Sequence, residues 1–130
     1  MNQKDQTHQP DGGSIRIADE VVATIAGMAA IEVTGVAGMS AGLVGGIAEM
    51  LGKKNFSKGV KVEVGERETA VDLYIIVDFG VRIPEVALRV QENVKRTIET
   101  MTGLEVVEVS IHVQGVGFPP EGEDKDIRVR

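Results

Sequence analysis

The chain has 130 residues, 42% hydrophobic and 26% charged, with a net charge of −6. That length suits one domain, and that composition can fill a core rather than leave the chain disordered. The acidic balance argues against non-specific nucleic-acid binding, the lack of Cys excludes disulfides and thiolate chemistry, two His rule out a His-rich metal site, and aromatics at 3% are too few for a base-stacking platform.

Residues 1–13 are polar and aperiodic and read as a flexible N-terminal tail. Ser14-Ile15-Arg16-Ile17 alternates and suits a short edge strand. Asp19 and Glu20 then favour a helix N-terminus, Val22, Ile25, Ala26 and Ala29 recur at helical spacing, and Gly35 is a fitting stop. Ala23, Gly27, Ala29 and Ala30 keep this helix slim, so it can approach a sheet closely.

Residues 35–58 form a glycine-rich apolar insertion that ends in a basic loop. Six glycines fall within the eighteen residues from Gly35 to Gly52. Leu43, Ile47, Met50 and Leu51 are spaced as on one face of a short helix, which the glycines weaken. Val60, Val62 and Val64 alternate with charged residues as in a half-buried strand. The turn Gly65–Glu68 joins it antiparallel to a second strand. There Val71, Leu73, Ile75, Val77 and Phe79 face the core, and Asp72, Tyr74, Ile76 and Asp78 face outward. Apolar residues on both faces place this strand centrally.

Pro84 opens and Gly103 closes a long helix. Val86, Val90, Val94, Ile98 and Met101 make its apolar stripe, and Glu85–Arg89 and Glu92–Arg96 pair on its surface. Val107, Val109, Ile111 and Val113 alternate with Glu108, Ser110 and His112 in a last strand. Strand, helix, strand implies a right-handed crossover and parallel pairing. Residues 119–130 begin with Pro-Pro and mix charges, which reads as a flexible C-terminal tail. The expected fold is α+β: a two-layer sandwich of (β)αββαβ order in residues 14–118, a small mixed sheet of three to four strands with both helices on one face. This body holds 10 basic and 14 acidic residues, a net −4, and each tail carries −1.

No motif survives inspection as a catalytic site. Gly38-Met39-Ser40-Ala41-Gly42 matches G-x-S-x-G, but a nucleophile elbow follows an apolar strand in a sheet larger than this chain can build, and His112 is the one usable base. Gly46 to Lys53 misses the P-loop spacing and its hydroxyl. Gly35-Val36-Ala37-Gly38 and Gly42-Leu43-Val44-Gly45 match the GXXG loop of KH domains, and Lys53, Lys54, Lys58 and Lys61 form one basic patch. A solvated loop explains the same lysines, and the acidic body disfavours RNA. Glu66 and Glu68 lie in a turn, so no two carboxylates share an apolar pocket. No catalytic, cofactor-binding or metal-binding residue is assigned, and no cofactor is expected. No apolar run of about 18 residues suggests a membrane span, and the polar N-terminus is no secretory signal.

Five segments taken together carry a resemblance: Ile17-Ala18-Asp19-Glu20-Val21-Val22, Glu32-Val33-Thr34-Gly35-Val36-Ala37-Gly38-Met39, Val71-Asp72-Leu73-Tyr74-Ile75-Ile76-Val77, Val90-Gln91-Glu92-Asn93-Val94-Lys95 and Met101-Thr102-Gly103-Leu104. From about Gly13 to Val116 the chain resembles the alkaline-shock/Gls general-stress proteins of Gram-positive bacteria. The resemblance implies a non-enzymatic protein of envelope homeostasis, cytoplasmic or peripheral to the membrane through a membrane-anchored partner, and self-associating. It is most similar to a housekeeping branch whose genes lie near those of a biotin-dependent carboxylase of fatty-acid synthesis. A regulatory binder of that carboxylase, or of RNA through a KH-like surface, is the alternative expectation. Leu43, Val44, Ile47, Met50 and Leu51 are the apolar residues least absorbed by the sheet and helices. They are expected either to form the interaction surface or to cap the core, which would move the interface to the sheet's outer face around Tyr74 and Ile76.

Overall fold

Along Glu68–Asp78 every second residue, from Thr69 to Val77, is buried. The intervening side chains stay half exposed. This strict period of two lets one strand carry a core on one face and a wet surface on the other. The computed structural model describes residues 8–9, 12–40 and 56–118. Within them the order is β1 (His8–Gln9), β2 (Gly13–Ser14), α1 (Asp19–Ile31), β3 (Val36–Met39), β4 (Val60–Val64), β5 (Glu68–Asp78), α2 (Ile83–Thr102) and β6 (Glu105–Gly117). The architecture is the expected α+β sandwich, a mixed sheet with two helices on one face.

β5 is the axis of the sheet. β4 pairs with it antiparallel from Val60↔Leu73 to Val64↔Thr69. β3 pairs with it antiparallel further along, from Val36↔Val77 to Met39↔Ile75. β6 runs parallel to it along its whole length, with shifts of register after Thr69 and Ile75. β3 and β4 lie end to end on the same side of β5 and meet at Tyr74. The Tyr74 carbonyl accepts from Ser40 N–H at 2.8 Å, and its own N–H donates to the Gly59 carbonyl at 2.8 Å. They are therefore one antiparallel strand, interrupted between Ser40 and Gly59. Gly59 turns the chain back with φ at +78°, and a Cβ there would lie 2.8 Å from the Ser40 oxygen.

Three expectations are corrected. The fourth strand of the sheet is Val36–Met39, read above as the start of the insertion, whereas Gly13–Ser14 pairs only with His8–Gln9. α1 ends at Ile31, before Gly35, and Gly35 instead turns the chain into β3. Phe79 and Met101 are 67% and 66% exposed rather than core. Phe79 lies past the last rung of β5, where alternation no longer constrains it, and the buried stripe of α2 ends at Ile98.

The core joins Val71, Leu73, Ile75 and Val77 of β5 to Val22, Ile25, Ala26 and Ala29 of α1 and to Val86, Val90, Val94 and Ile98 of α2. α1 is slim for a reason the structure makes explicit. A Cβ on Gly27 would collide with the backbone carbonyl of Phe56, on the stretch leading into β4. The helices are tied by Asn93, whose amide donates to the Ala29 carbonyl at 2.8 Å.

α2 also clamps the start of β6. Lys95 Nζ donates to the Val106 carbonyl at 3.0 Å, Glu99 accepts from Val106 N–H at 3.0 Å, and Gln91 donates to the Val109 carbonyl at 2.9 Å. Lys95 and Glu99 pair with each other at 2.8 Å. That lysine, and then the Val106 N–H, hold the Glu99 carboxyl below its ordinary value.

Two expectations follow from this packing. Ile98→Ala should cost about 2–5 kcal/mol in urea unfolding, and Met101→Ala should stay within about 0.5 kcal/mol of the parent. Because folding depresses the Glu99 pKa, its contribution is present above the usual carboxylate range and is lost as pH falls through the lowered value. Glu99→Gln should therefore be less stable than the parent at neutral pH, with the difference closing in acid. Thermal melts across pH check this.

Candidate functional site

The even-numbered residues of β5 point away from both helices, and no described element covers them. Parallel register sets Asp72 beside Ser110 and Tyr74 beside His112. Antiparallel register sets Lys61 of β4 beside Asp72. The result is one cluster across three strands. The Tyr74 and His112 rings stack at 4.4 Å between centroids and 11° between planes. His112 Nε2 lies 3.1 Å from Asp72 Oδ1, and Lys61 Nζ sits 5.4 Å from the centre of the Tyr74 ring. Further along the face, Ser40 Oγ donates to Gln114 Oε1 at 3.3 Å.

Each of these contacts is modest. A half-exposed hydrogen bond contributes about 0.5–1.5 kcal/mol, a ring stack about 0.5–1.5 and an exposed cation–π contact about 0.5–1. Their effect is to order a patch rather than to hold the fold together. Four side chains are fixed in place before any partner arrives, which lowers the entropic cost of docking on them. Beyond the cluster lie Ile76 and, at the end of β5 and β6, the Phe79 and Phe118 rings, stacked at 5.8 Å. Phe118 is 71% exposed and Val116 49%.

The residues singled out in the sequence fare differently. Leu43, Val44, Ile47, Met50, Leu51, Lys53 and Lys54 lie outside the described residues. Lys58 lies in the turn before β4, and Lys61 joins the outer-face cluster next to an acid. Ser40 sits at the end of β3, and its hydroxyl bonds to a Gln rather than to a base. The Tyr74–His112–Asp72 cluster was not foreseen as a unit. Alternation puts all three on the outer face, but their juxtaposition depends on a parallel register with two irregularities, and periodicity carries no register information across a helical crossover.

Two other features have a structural explanation. The groove between α1 and α2 is lined by Glu32, Val33, Arg89, Glu92, Asn93 and Arg96. Asn93 and Arg96 are engaged there, since Arg96 donates to Asn93 Oδ1 at 2.7 Å and Asn93 to Glu32 Oε1 at 3.2 Å. Among the described residues, no three His, Asp or Glu side chains gather as a metal-ligand group. No described helix is long and apolar enough to cross a membrane.

Comparison with known proteins completes the picture. The profile of the alkaline-shock protein 23 family, described by a cell envelope-related function, matches residues 7–118. YqhY of Bacillus subtilis (strain 168) is 44% identical over 115 residues, 88% of this chain and 85% of its own. YloU of the same organism is 44% identical over 106 residues, 80% of this chain and 88% of its own. A stress response regulator gls24 homolog of Streptococcus pyogenes serotype M3 is 30% identical over 119 residues, 91% of this chain and 66% of its own. A solved structure of Era, in complex with MgGDPNP and a stretch of 16S ribosomal RNA, covers 98% of this chain and 40% of that chain at TM-score 0.37 and 12% identity. A superposition that loose says nothing about RNA here.

The hydrogen bond from Ser40 to Gln114 makes a chemical expectation. With Gln114 rather than a base as its described partner, Ser40 should not react with a fluorophosphonate probe, and Ser40→Ala should label to the same extent as the parent in intact-mass spectra.

Proposed function

The chain belongs to the alkaline-shock protein 23 family, and on that premise we propose that it works without catalysis, as a protein–protein interaction module of the cell envelope and its stress response. It self-associates and docks on a membrane-anchored partner at the cytoplasmic face of the membrane. The observation that carries this reading is the outer face of the sheet, which no described element covers, with its pre-ordered Lys61–Tyr74–His112–Asp72 cluster running toward Ile76. Ordered aromatic and charged side chains on a rigid strand are the ingredients of an interface hot spot. Family membership supports the envelope setting. The exposed aromatic pair at the end of β5 and β6 supplies apolar area beside the polar cluster, as interface cores and rims require.

The reading is tested in the native host by fractionating cells that carry the tagged full chain. The parent chain should sediment with membranes, and Tyr74→Ala with Ile76→Glu should release it while far-UV circular dichroism and melting stay unchanged. Two results would overturn the reading: retention of the variant on membranes, or binding of the pure chain to protein-free lipid vesicles. If Ile47→Asp with Leu51→Asp releases the chain and the outer-face variant does not, the docking surface is the insertion instead.

A further inference from the structure

The sheet has two edges, and they are unlike. One is the β3–β4 lane, broken at Tyr74 and carrying Lys61 and Glu63 on its second half. Breaks and charged side chains are the usual protection of an exposed edge. The other is β6, thirteen residues long, paired only with β5 among the described residues, regular from Glu108 to Val113 and shifted in register between Val113 and Gly115. Its first part is protected differently, by the α2 side chains that bond to Val106 and Val109. That protection ends at Val109. From Val109 to Gly117 the strand contains no Asp, Glu, Lys or Arg.

The backbone there is poised to accept another strand. In a parallel pairing the two backbone groups of one residue point to the same side, and sides alternate along the strand. Val109 turns its carbonyl to Gln91 on the open side, so Ile111 and Val113 also present N–H and C=O outward. Their side chains face the helices and remain half exposed, and no described element beyond the edge covers them. Leu88 lies three residues before Gln91 on the same face of α2 and is 53% exposed, so the helix face that bonds to β6 also carries an open apolar side chain.

We propose that this open edge, around Ile111 and Val113, is where two copies of the chain pair antiparallel about a two-fold axis, joining their sheets into one. The inference rests on the self-association proposed above and names its interface. Charge selects the occupant. Two copies, each at −6, repel over most of their surface, so contact between them is least opposed along a charge-free strand. A two-fold axis sets the same uncharged strand against itself with no like charge opposed. The two Leu88 side chains are brought toward each other on the helical side. A paired edge this short buries less than a standard interface of about 1,600 Å², so the association is weak and concentration-dependent.

Sedimentation equilibrium and hydrogen exchange on the full chain test this. As concentration rises, dimer should form and the Ile111 and Val113 amides should gain protection. Val113→Pro removes an outward N–H without touching the β5 ladder and should raise the dimer dissociation constant about tenfold or more. Leu88→Lys, on an exposed helix position, should do the same and stands in if the proline variant fails to fold. A chain that dimerises with both amides unprotected, and with Leu88→Lys as tight as the parent, overturns the edge but leaves self-association standing. A chain that stays monomeric at every concentration overturns both.

Discussion

Every strand of the main sheet bonds to β5, and none bonds to another. That single dependence organises the molecule. The odd-numbered face of β5 supplies the residues on which α1 and α2 close, and its even-numbered face carries the side-chain cluster shared by three strands. A change that shifted β5 by one residue would exchange core and surface at once, because the side-chain period is two. The buried Thr69, whose hydroxyl donates to the Glu63 carbonyl at 2.9 Å, helps to pin the register at the hairpin end. Asp78 N–H, donating to the Gly35 carbonyl at 2.9 Å, pins the other end.

Much of this was legible in the sequence, and the reasons are specific. β5 announced itself because alternation persists from Val71 to Val77 without a break. α2 did so because Pro84, Gly103 and four valine or isoleucine residues at spacings of four agree with one another. What stayed hidden needs information that periodicity does not hold. β3 is four residues long and contains a glycine, so it looked like loop. Phe79 continues the alternation of β5 in sequence but not in space, because pairing stops at Asp78. Met101 continues the stripe of α2, but the helix has by then run past the layer it covers. The Tyr74–His112 stack was hidden for a different reason: both residues could be assigned a face, but not a neighbour.

The division of labour between the two faces fits a family described by a cell envelope-related function. Stability lives in an aliphatic core that uses no aromatic side chain, since the largest buried residues are Leu73, Ile75, Ile98 and valines. Of the four aromatic residues, Phe79 and Phe118 are exposed, Tyr74 is half-buried on the outer face, and Phe56 is half-buried beside α1. In a chain with so few aromatics, that placement concentrates the residues best suited to recognition where other molecules can reach them.

The meeting of Ser40 and Gly59 at Tyr74 has a consequence for how such a chain can change over time. The two ends of the interrupted strand are held side by side by a rung of the sheet, so the segment between them begins and returns at one place. Closing a loop between fixed neighbouring points costs little more when the loop is lengthened, roughly 0.6 kcal/mol for each doubling. The register of β3 and β4 on β5 is thus independent of how many residues are inserted between them. The sheet behaves as a socket. A change of length between the two half-strands is therefore cheap for the closure itself, provided that a glycine remains at position 59 to complete the return.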